Sequence, residues 1–210
     1  RLAGRLGSRR VPIDVLVNNV GVLLDDFALT DEGFEASFAT NLLGHYLLTE
    51  RLVERGALGS GSIVINISSG GMYSTALVPD ELNVTEADRH DGVTAYARHK
   101  RAQVELTHHW NARYGPGIVF HVMHPGWVDT EGVKTSLPAF RRLFRRILRT
   151  PAQGADTVIW LAAERPPPAR AGIWLDRELQ PEHVSDATRT DVATREHMVR
   201  RLGGWVKLSQ

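Results

Sequence analysis

Short β-branched runs alternate with long amphipathic stretches along this chain, and that alternation constrains the fold more than any single motif. Ile13-Asp14-Val15-Leu16-Val17 is one run, stopping at Asn18-Asn19; Ser62-Ile63-Val64-Ile65-Asn66-Ile67 is a second, and Ile118 to Met123 a third. Between the first two, a helix is predicted from about Asp31 to Arg55, where Phe34, Phe38, Leu42 and Tyr46 stand at near-helical spacing. A second helix is predicted from about Thr94 to Tyr114, ended by Gly115-Pro116-Gly117. Thr150-Pro151-Ala152-Gln153 starts a third: Thr caps, Pro suits the first helical position, and Gln completes a capping box. That helix runs to about Ala163 and is followed by a proline-rich turn, a last short strand at 172–175 and a polar, partly helical tail from His183. Neighbouring parallel strands need a crossover between them, and a helix is the usual one. The expected fold class is α/β, a doubly wound parallel sheet, in one domain spanning residues 1–210.

In such sheets, ligands sit beyond the carboxyl ends of the strands. Three predicted strand ends carry small or polar residues: Asn18–Gly21, Ser68–Gly71 and His124–Thr130. All three should open on one edge. Composition narrows the chemistry there. None of the 210 residues is cysteine, which excludes disulfides, thiolate metal ligands and a cysteine nucleophile. A formal charge of +1 argues against a nucleic-acid partner. No apolar run approaches the ~18 residues of a membrane span, and no signal peptide is visible, so a cytoplasmic location is expected. Nine histidines raise the question of a metal. His108 and His109 face different directions on a helix, and His121 and His124 lack an acidic pair, so no metal site is expected.

Only three lysines stand against 22 arginines, which draws attention to each of them. Lys100 follows Tyr96 by four residues, about one helical turn, so both face one side. A free tyrosine titrates near 10; a neighbouring ammonium favours the phenolate, and bringing the phenol to ~7 takes roughly 4 kcal/mol. Such a pair makes a general acid/base. By itself the spacing is weak, because a surface tyrosine near a surface lysine gives the same pattern.

The pair does not stand alone. Asn18-Asn19-Val20-Gly21, Asn41 in Asn41-Leu42-Leu43-Gly44, Ser68-Ser69, Tyr96-Ala97-Arg98-His99-Lys100 and Pro125-Gly126-Trp127-Val128-Asp129-Thr130 occur in that order. Together they resemble the short-chain dehydrogenase/reductase family, across nearly the whole chain. The resemblance implies a Rossmann-like domain binding NAD or NADP and interconverting a small-molecule alcohol and carbonyl. It implies that Tyr96 exchanges a proton with the substrate oxygen and that Lys100 lowers the Tyr96 pKa and bonds the nicotinamide ribose. Ser69 would orient the substrate oxygen, and Asn41 would hold a water behind Lys100. Asn18, Val20, Gly21, Pro125, Gly126, Val128 and Thr130 would border the cofactor with Tyr96 and Lys100. By analogy with the family, a homo-oligomer through the two long helices is expected of the full-length protein.

Two departures stand out. Ser69 and Tyr96 are 27 residues apart, a wider gap than is usual in the family; an insertion near Pro79–Asp91 explains it, and the less favoured alternative is that Ser74 or Thr75 takes the role. The family's Gly-rich first turn, Thr-Gly-x-x-x-Gly-x-Gly, is absent. The first clear strand resembles the family's fourth, so a partial domain without the N-terminal strands is expected. The rival reading is a truncated, inactive fragment serving as an interaction module. Pro138 to Arg149 places Phe140, Leu143, Phe144, Ile147 and Leu148 on one face and five arginines on the other. An ordinary solvated amphipathic helix is the favoured reading, with a substrate lid in weak contact with a membrane surface as the sharper one.

Overall fold

The computed structural model describes Gly4, residues 12–129, Arg142, Phe144 and residues 147–208. The described strands form one sheet in the order β1-β2-β3-β4-β5. They are β1 Val15–Asn18, β2 Ser62–Ile67, β3 Ile118–Met123, β4 Ile173–Leu175 and β5 Glu178–Gln180. The first four run parallel, with Asn18 opposite Asn66 and Asn66 opposite Val122, so their carboxyl ends meet at one edge. β5 returns antiparallel to β4. Asp176 and Arg177 form its two-residue turn, both with positive φ, as a type I′ hairpin requires. Neither is the Asn or Gly that usually marks such a turn, and the strand was not expected from the sequence. Ion pairs hold the turn instead: Arg149 grips Asp176 at 2.5 and 2.6 Å, and Asp156 grips Arg177 at 2.8 and 2.5 Å.

A continuous helix, α1, begins at Ala36–Phe38, widens to a π-helical segment at Ala39–Leu43 and continues as Gly44–Glu54. The others are α2 Gly92–Tyr114, α3 Pro151–Glu164 and α4 Val192–Leu208. α3 carries the expected capping box between Thr150 and Gln153. β2 is buried on both faces, and its side chains divide with period two. Val64 joins Phe38, Leu42, Leu106, Trp110 and Phe120 beneath α1 and α2, whereas Ile63, Ile65 and Ile67 join Leu161 and Trp174 beneath α3.

The polar tail resolves into α4, which lies across α1 and α2. Met198 and Leu202 are fully buried, Trp205 meets Phe38 edge-on at 5.0 Å, and Arg195 pairs with the buried Glu105 at 2.8 Å. The face shared by the two long helices is thus occupied by the chain's own C-terminal helix. Between β2 and α2 the long connection contains three short turns, Gly70–Ser74, Pro79–Glu81 and Ala87–Arg89. At its end Gly92 passes so close to Leu24 that a Cβ would stand 2.0 Å from the Leu24 carbonyl. Thr130 and most of the amphipathic stretch 138–149 lie outside the described residues.

Because Leu202 sits in the shared core with no exposure, Leu202→Ala should lower unfolding free energy by about 2–5 kcal/mol in urea titration. A loss below ~1 kcal/mol would mean that α4 does not belong to the cooperative core.

Candidate active site

Two short hydrogen bonds stitch the end of β2 to one turn of α2. Lys100 Nζ donates to the Ile67 carbonyl at 2.7 Å, and Ser68 Oγ donates to the Lys100 carbonyl at 2.7 Å. This places the next residue, Ser69, against the preceding turn of α2, where Tyr96 lies. A Cβ on Gly71 would stand 3.8 Å from both Ser69 Oγ and a Tyr96 ring carbon. Ser69 caps the short turn 70–74, accepting from Gly71 N at 3.3 Å, and its hydroxyl lies close enough to Tyr96 to favour the phenolate. Ser74 donates to the Gly71 carbonyl, and Thr75 to the Ala76 carbonyl.

The wide Ser69–Tyr96 separation is absorbed by α2 itself. Arg98 reaches Glu81 at 3.3 Å, His99 Nε2 meets the Leu82 carbonyl at 2.8 Å, and Arg101 donates to the carbonyls of Met72, Thr75 and Glu182. His99 is fully buried and is a packing residue against Phe38. Burial holds its imidazole down to about 4, so it is neutral.

Lys100 is buried, and its ammonium lies 5.5 Å from the centroid of the Tyr96 ring. Burial pushes its pKa down to about 8. Burial also raises the Tyr96 pKa, against the lowering effect of the nearby Ser69 hydroxyl. This differs from the expectation that Lys100 lowers the phenol. The ammonium is directed at the Ile67 carbonyl, and desolvation of the ring outweighs the help the phenolate receives.

Behind Lys100 lies Asn41, in the π-helical segment and fully buried. Its side chain clasps the backbone of Val22, accepting from the amide at 2.7 Å and donating to the carbonyl at 2.8 Å. Its own carbonyl accepts from Gln103 Nε2 at 2.7 Å. The side-chain amide of Asn41 therefore fixes the chain beyond β1. Gly21 fills the gap: a Cβ there would stand 3.3 Å from Lys100 Nζ and 3.4 Å from Asn41 Oδ1.

The expected cofactor-lining residues fall into two groups. Val20 and Gly21 are exposed at the end of β1, and Pro125 and Gly126 are half-buried beyond the end of β3. Gly126 has φ of 75°, and a Cβ there would strike Arg149 Nε at 2.6 Å. Asn18 and Val128 are turned inward. Asn18 Nδ2 donates to Thr49 and Asn66 inside the α1–α2 layer, and Val128 packs where Gly154 of α3 leaves no room for a Cβ. A ligand could meet these two only through their backbone. Trp127 stands near Gly70 and 5.1 Å from Phe144, which gives the cleft an aromatic rim.

His45 and Gln103 were not singled out from the sequence. His45 follows Asn41 by one turn of α1, and Gln103 follows Lys100 by one turn of α2, so helical periodicity alone could have flagged both. Among the described residues no group of His, Asp and Glu could hold a metal ion, and no helix is long and apolar enough to cross a membrane.

Comparison with known proteins agrees with this fold. A family model described as enoyl-(acyl carrier protein) reductase matches residues 1–165. The bovine (Bos taurus) dehydrogenase/reductase SDR family member 12 is 42% identical over 90% of this chain and 60% of its own length. Human (Homo sapiens) polyprenol dehydrogenase is 32% identical over 84% of this chain and 57% of its own. Human retinol dehydrogenase 12 is 32% identical over 87% and 55%. The chain thus spans less than two thirds of the curated relatives it matches. A solved short chain dehydrogenase/reductase family protein superposes with a TM-score of 0.53 and 25% identity, covering 78% of this chain and 65% of that one. A glucose/ribitol-type member from Brucella melitensis superposes with a TM-score of 0.57 at 20% identity, over 76% and 62%.

A pKa lowered from 10.5 to about 8 means that the folded chain binds fewer protons than the unfolded chain between those values, so stability rises with pH across that window. Below pH 8 the buried charge costs about 3 kcal/mol. Lys100→Met removes that cost and forfeits the bond to Ile67, worth about 1 kcal/mol. The variant should be about 2 kcal/mol more stable than the wild type at pH 7, with the advantage shrinking as pH rises through 8 towards 10. Urea titration at both ends checks this; a gap independent of pH would contradict it.

Proposed function

The chain belongs to the short-chain dehydrogenase/reductase family, and on that premise we propose that the full-length protein interconverts an alcohol and a carbonyl with NAD or NADP. The observation that carries this reading is the convergence of Ser69, Tyr96, Lys100 and Asn41 on one edge of a parallel sheet.

The residues present fit the nicotinamide–ribose end of a dinucleotide. Gly21 leaves a cradle that a Cβ would fill, beside an ammonium that gives one of its three N–H groups to Ile67. Lys100 would hold the ribose, with the backbones of Val20, Gly21, Pro125 and Gly126 around it. No Gly-rich turn for the pyrophosphate occurs in the sequence. When bound, the dinucleotide gives or takes the hydride.

The chain's own part is the proton. Tyr96 would donate its phenolic proton to the carbonyl oxygen in reduction and take it back in oxidation. A phenol raised by burial is a poor acid, and the neighbouring Ser69 hydroxyl offsets this in part. Ser69 would also donate to the substrate oxygen, stabilising its developing charge. Asn41 contributes position, since its side chain is committed to Val22 and its carbonyl accepts from Gln103.

A hydrophobic or lipid-like substrate suits the aromatic rim of Trp127 and Phe144. Relatives named polyprenol dehydrogenase and retinol dehydrogenase support the same class. Because α4 covers the shared face of α1 and α2, a homo-oligomer would use another surface.

Tyr96→Phe should reduce turnover about 10²–10⁴-fold, the usual contribution of general acid–base catalysis. It should leave the rise in melting temperature caused by NAD or NADP unchanged. Retained turnover would sink the assignment to Tyr96. A wild-type melting temperature that neither dinucleotide moves would favour the interaction-module reading.

A further inference from the structure

Behind Lys100, two buried side chains form a chain of contacts that the acid–base reading does not use. Gln103 Nε2 lies 2.7 Å from the Asn41 carbonyl and 3.2 Å from His45 Nδ1. Gln103 and His45 are both buried. The orientation of the Gln103 amide follows from chemistry. An oxygen at the Nε2 position would face the Asn41 carbonyl, whereas an NH₂ group offers one hydrogen to each neighbour. That arrangement requires His45 Nδ1 to accept. The ring must then be neutral and carry its proton on Nε2, a buried nitrogen with no hydrogen-bond partner among the described residues.

We propose that His45 and Gln103 are positioning residues: the Nε2-protonated imidazole orients the Gln103 amide, the amide holds the Asn41 carbonyl, and Asn41 in turn clasps Val22 beside Lys100. The kinetic part of this proposal rests on the oxidoreductase reading above; the protonation state of His45 does not. In the widened segment 39–43 the Asn41 carbonyl is gripped from α2, next to the turn that carries Lys100.

Protonation of His45 would break this arrangement, because Nδ1–H would point at the Gln103 N–H. The surroundings oppose it. Burial lowers the His45 pKa to about 4, and the Lys100 ammonium across from α2 adds to the effect. Among the described residues, Lys100 is the charged group that bears on the ring; the Val20 backbone at the end of β1 pulls weakly the other way.

The test has two arms on the full-length protein. In ¹⁵N NMR of labelled histidine, the His45 ring should show the Nε2–H tautomer and stay unprotonated from pH 8 down to pH 5. A ring that titrates near 6.5, or that carries its proton on Nδ1, overturns the proposal whatever the activity. In kinetics, His45→Leu should lower kcat about tenfold, the loss of one buried hydrogen bond, with a smaller change in KM for the carbonyl. His45→Asn, whose Oδ1 can accept in place of Nδ1, should restore most of that loss. Equal kcat for His45→Leu and wild type overturns the proposal. A wild type without any dinucleotide-dependent turnover sinks the functional reading alone and leaves the NMR result to decide the pair.

Discussion

The site depends on a reciprocal pair of hydrogen bonds between the end of β2 and α2: Lys100 Nζ to the Ile67 carbonyl, and Ser68 Oγ to the Lys100 carbonyl. Each bond alone fixes a distance; together they fix the axial position of α2 against the strand. Since Ser69 continues from Ser68 and Tyr96 lies one turn before Lys100, that position determines whether the two hydroxyls meet. The same turn of helix holds the long connection through Arg98, His99 and Arg101. One turn of α2 therefore places the nucleus of the site inward and restrains the insertion outward.

Around this stitch the chain buries many polar groups and satisfies them in series. Asn18 joins Thr49 and Asn66, Asn66 joins Thr107, and Thr107 returns to the Gln103 carbonyl. The network runs from β1 across β2 to α2. Buried amides are costly unless paired, so each link discriminates against a shift of strand or helix by one residue. Lys100 is the exception to this economy. Among the described residues it has no carboxylate partner, and burial lowers its pKa to about 8. A buried group so destabilised, at a strand edge, is what a functional site looks like when stability is traded for chemistry.

Much of this was legible in the residues. Periodicity placed β2, β3 and α2 within a residue or two, and the Thr150–Gln153 capping box was readable because its chemistry is local. The ordered motifs pointed to Ser69, Tyr96, Lys100 and Asn41. What was not legible depended on three-dimensional partners. The αL turn at Asp176-Arg177 carries no glycine and is held by distant Asp156 and Arg149. The tail was polar by composition, yet Met198, Leu202 and Trp205 suffice to bury one stripe of α4. Asn18 read as a cofactor residue because it sits in a motif, but alternation along β1 sends its side chain into the helix layer. The π-helical widening around Asn41 has no sequence signature at all.

The division of labour between backbone and side chains explains why the motif residues behave so differently. At a strand end, the groups free to meet a ligand are those whose own hydrogen bonds are not already committed. Gly21 and Gly126 serve by lacking a side chain, each at a point where a Cβ would meet Lys100 or Arg149. Asn41, Asn18 and Val128 serve by holding the frame that lets those glycines approach. Among the described residues of the motif, Ser69, Tyr96 and Lys100 gather at the strand end. The family motif therefore joins these three to a second set that keeps them in register. The second set extends beyond the motif, to His45 and Gln103, because the frame is built between helices and not along one segment of chain.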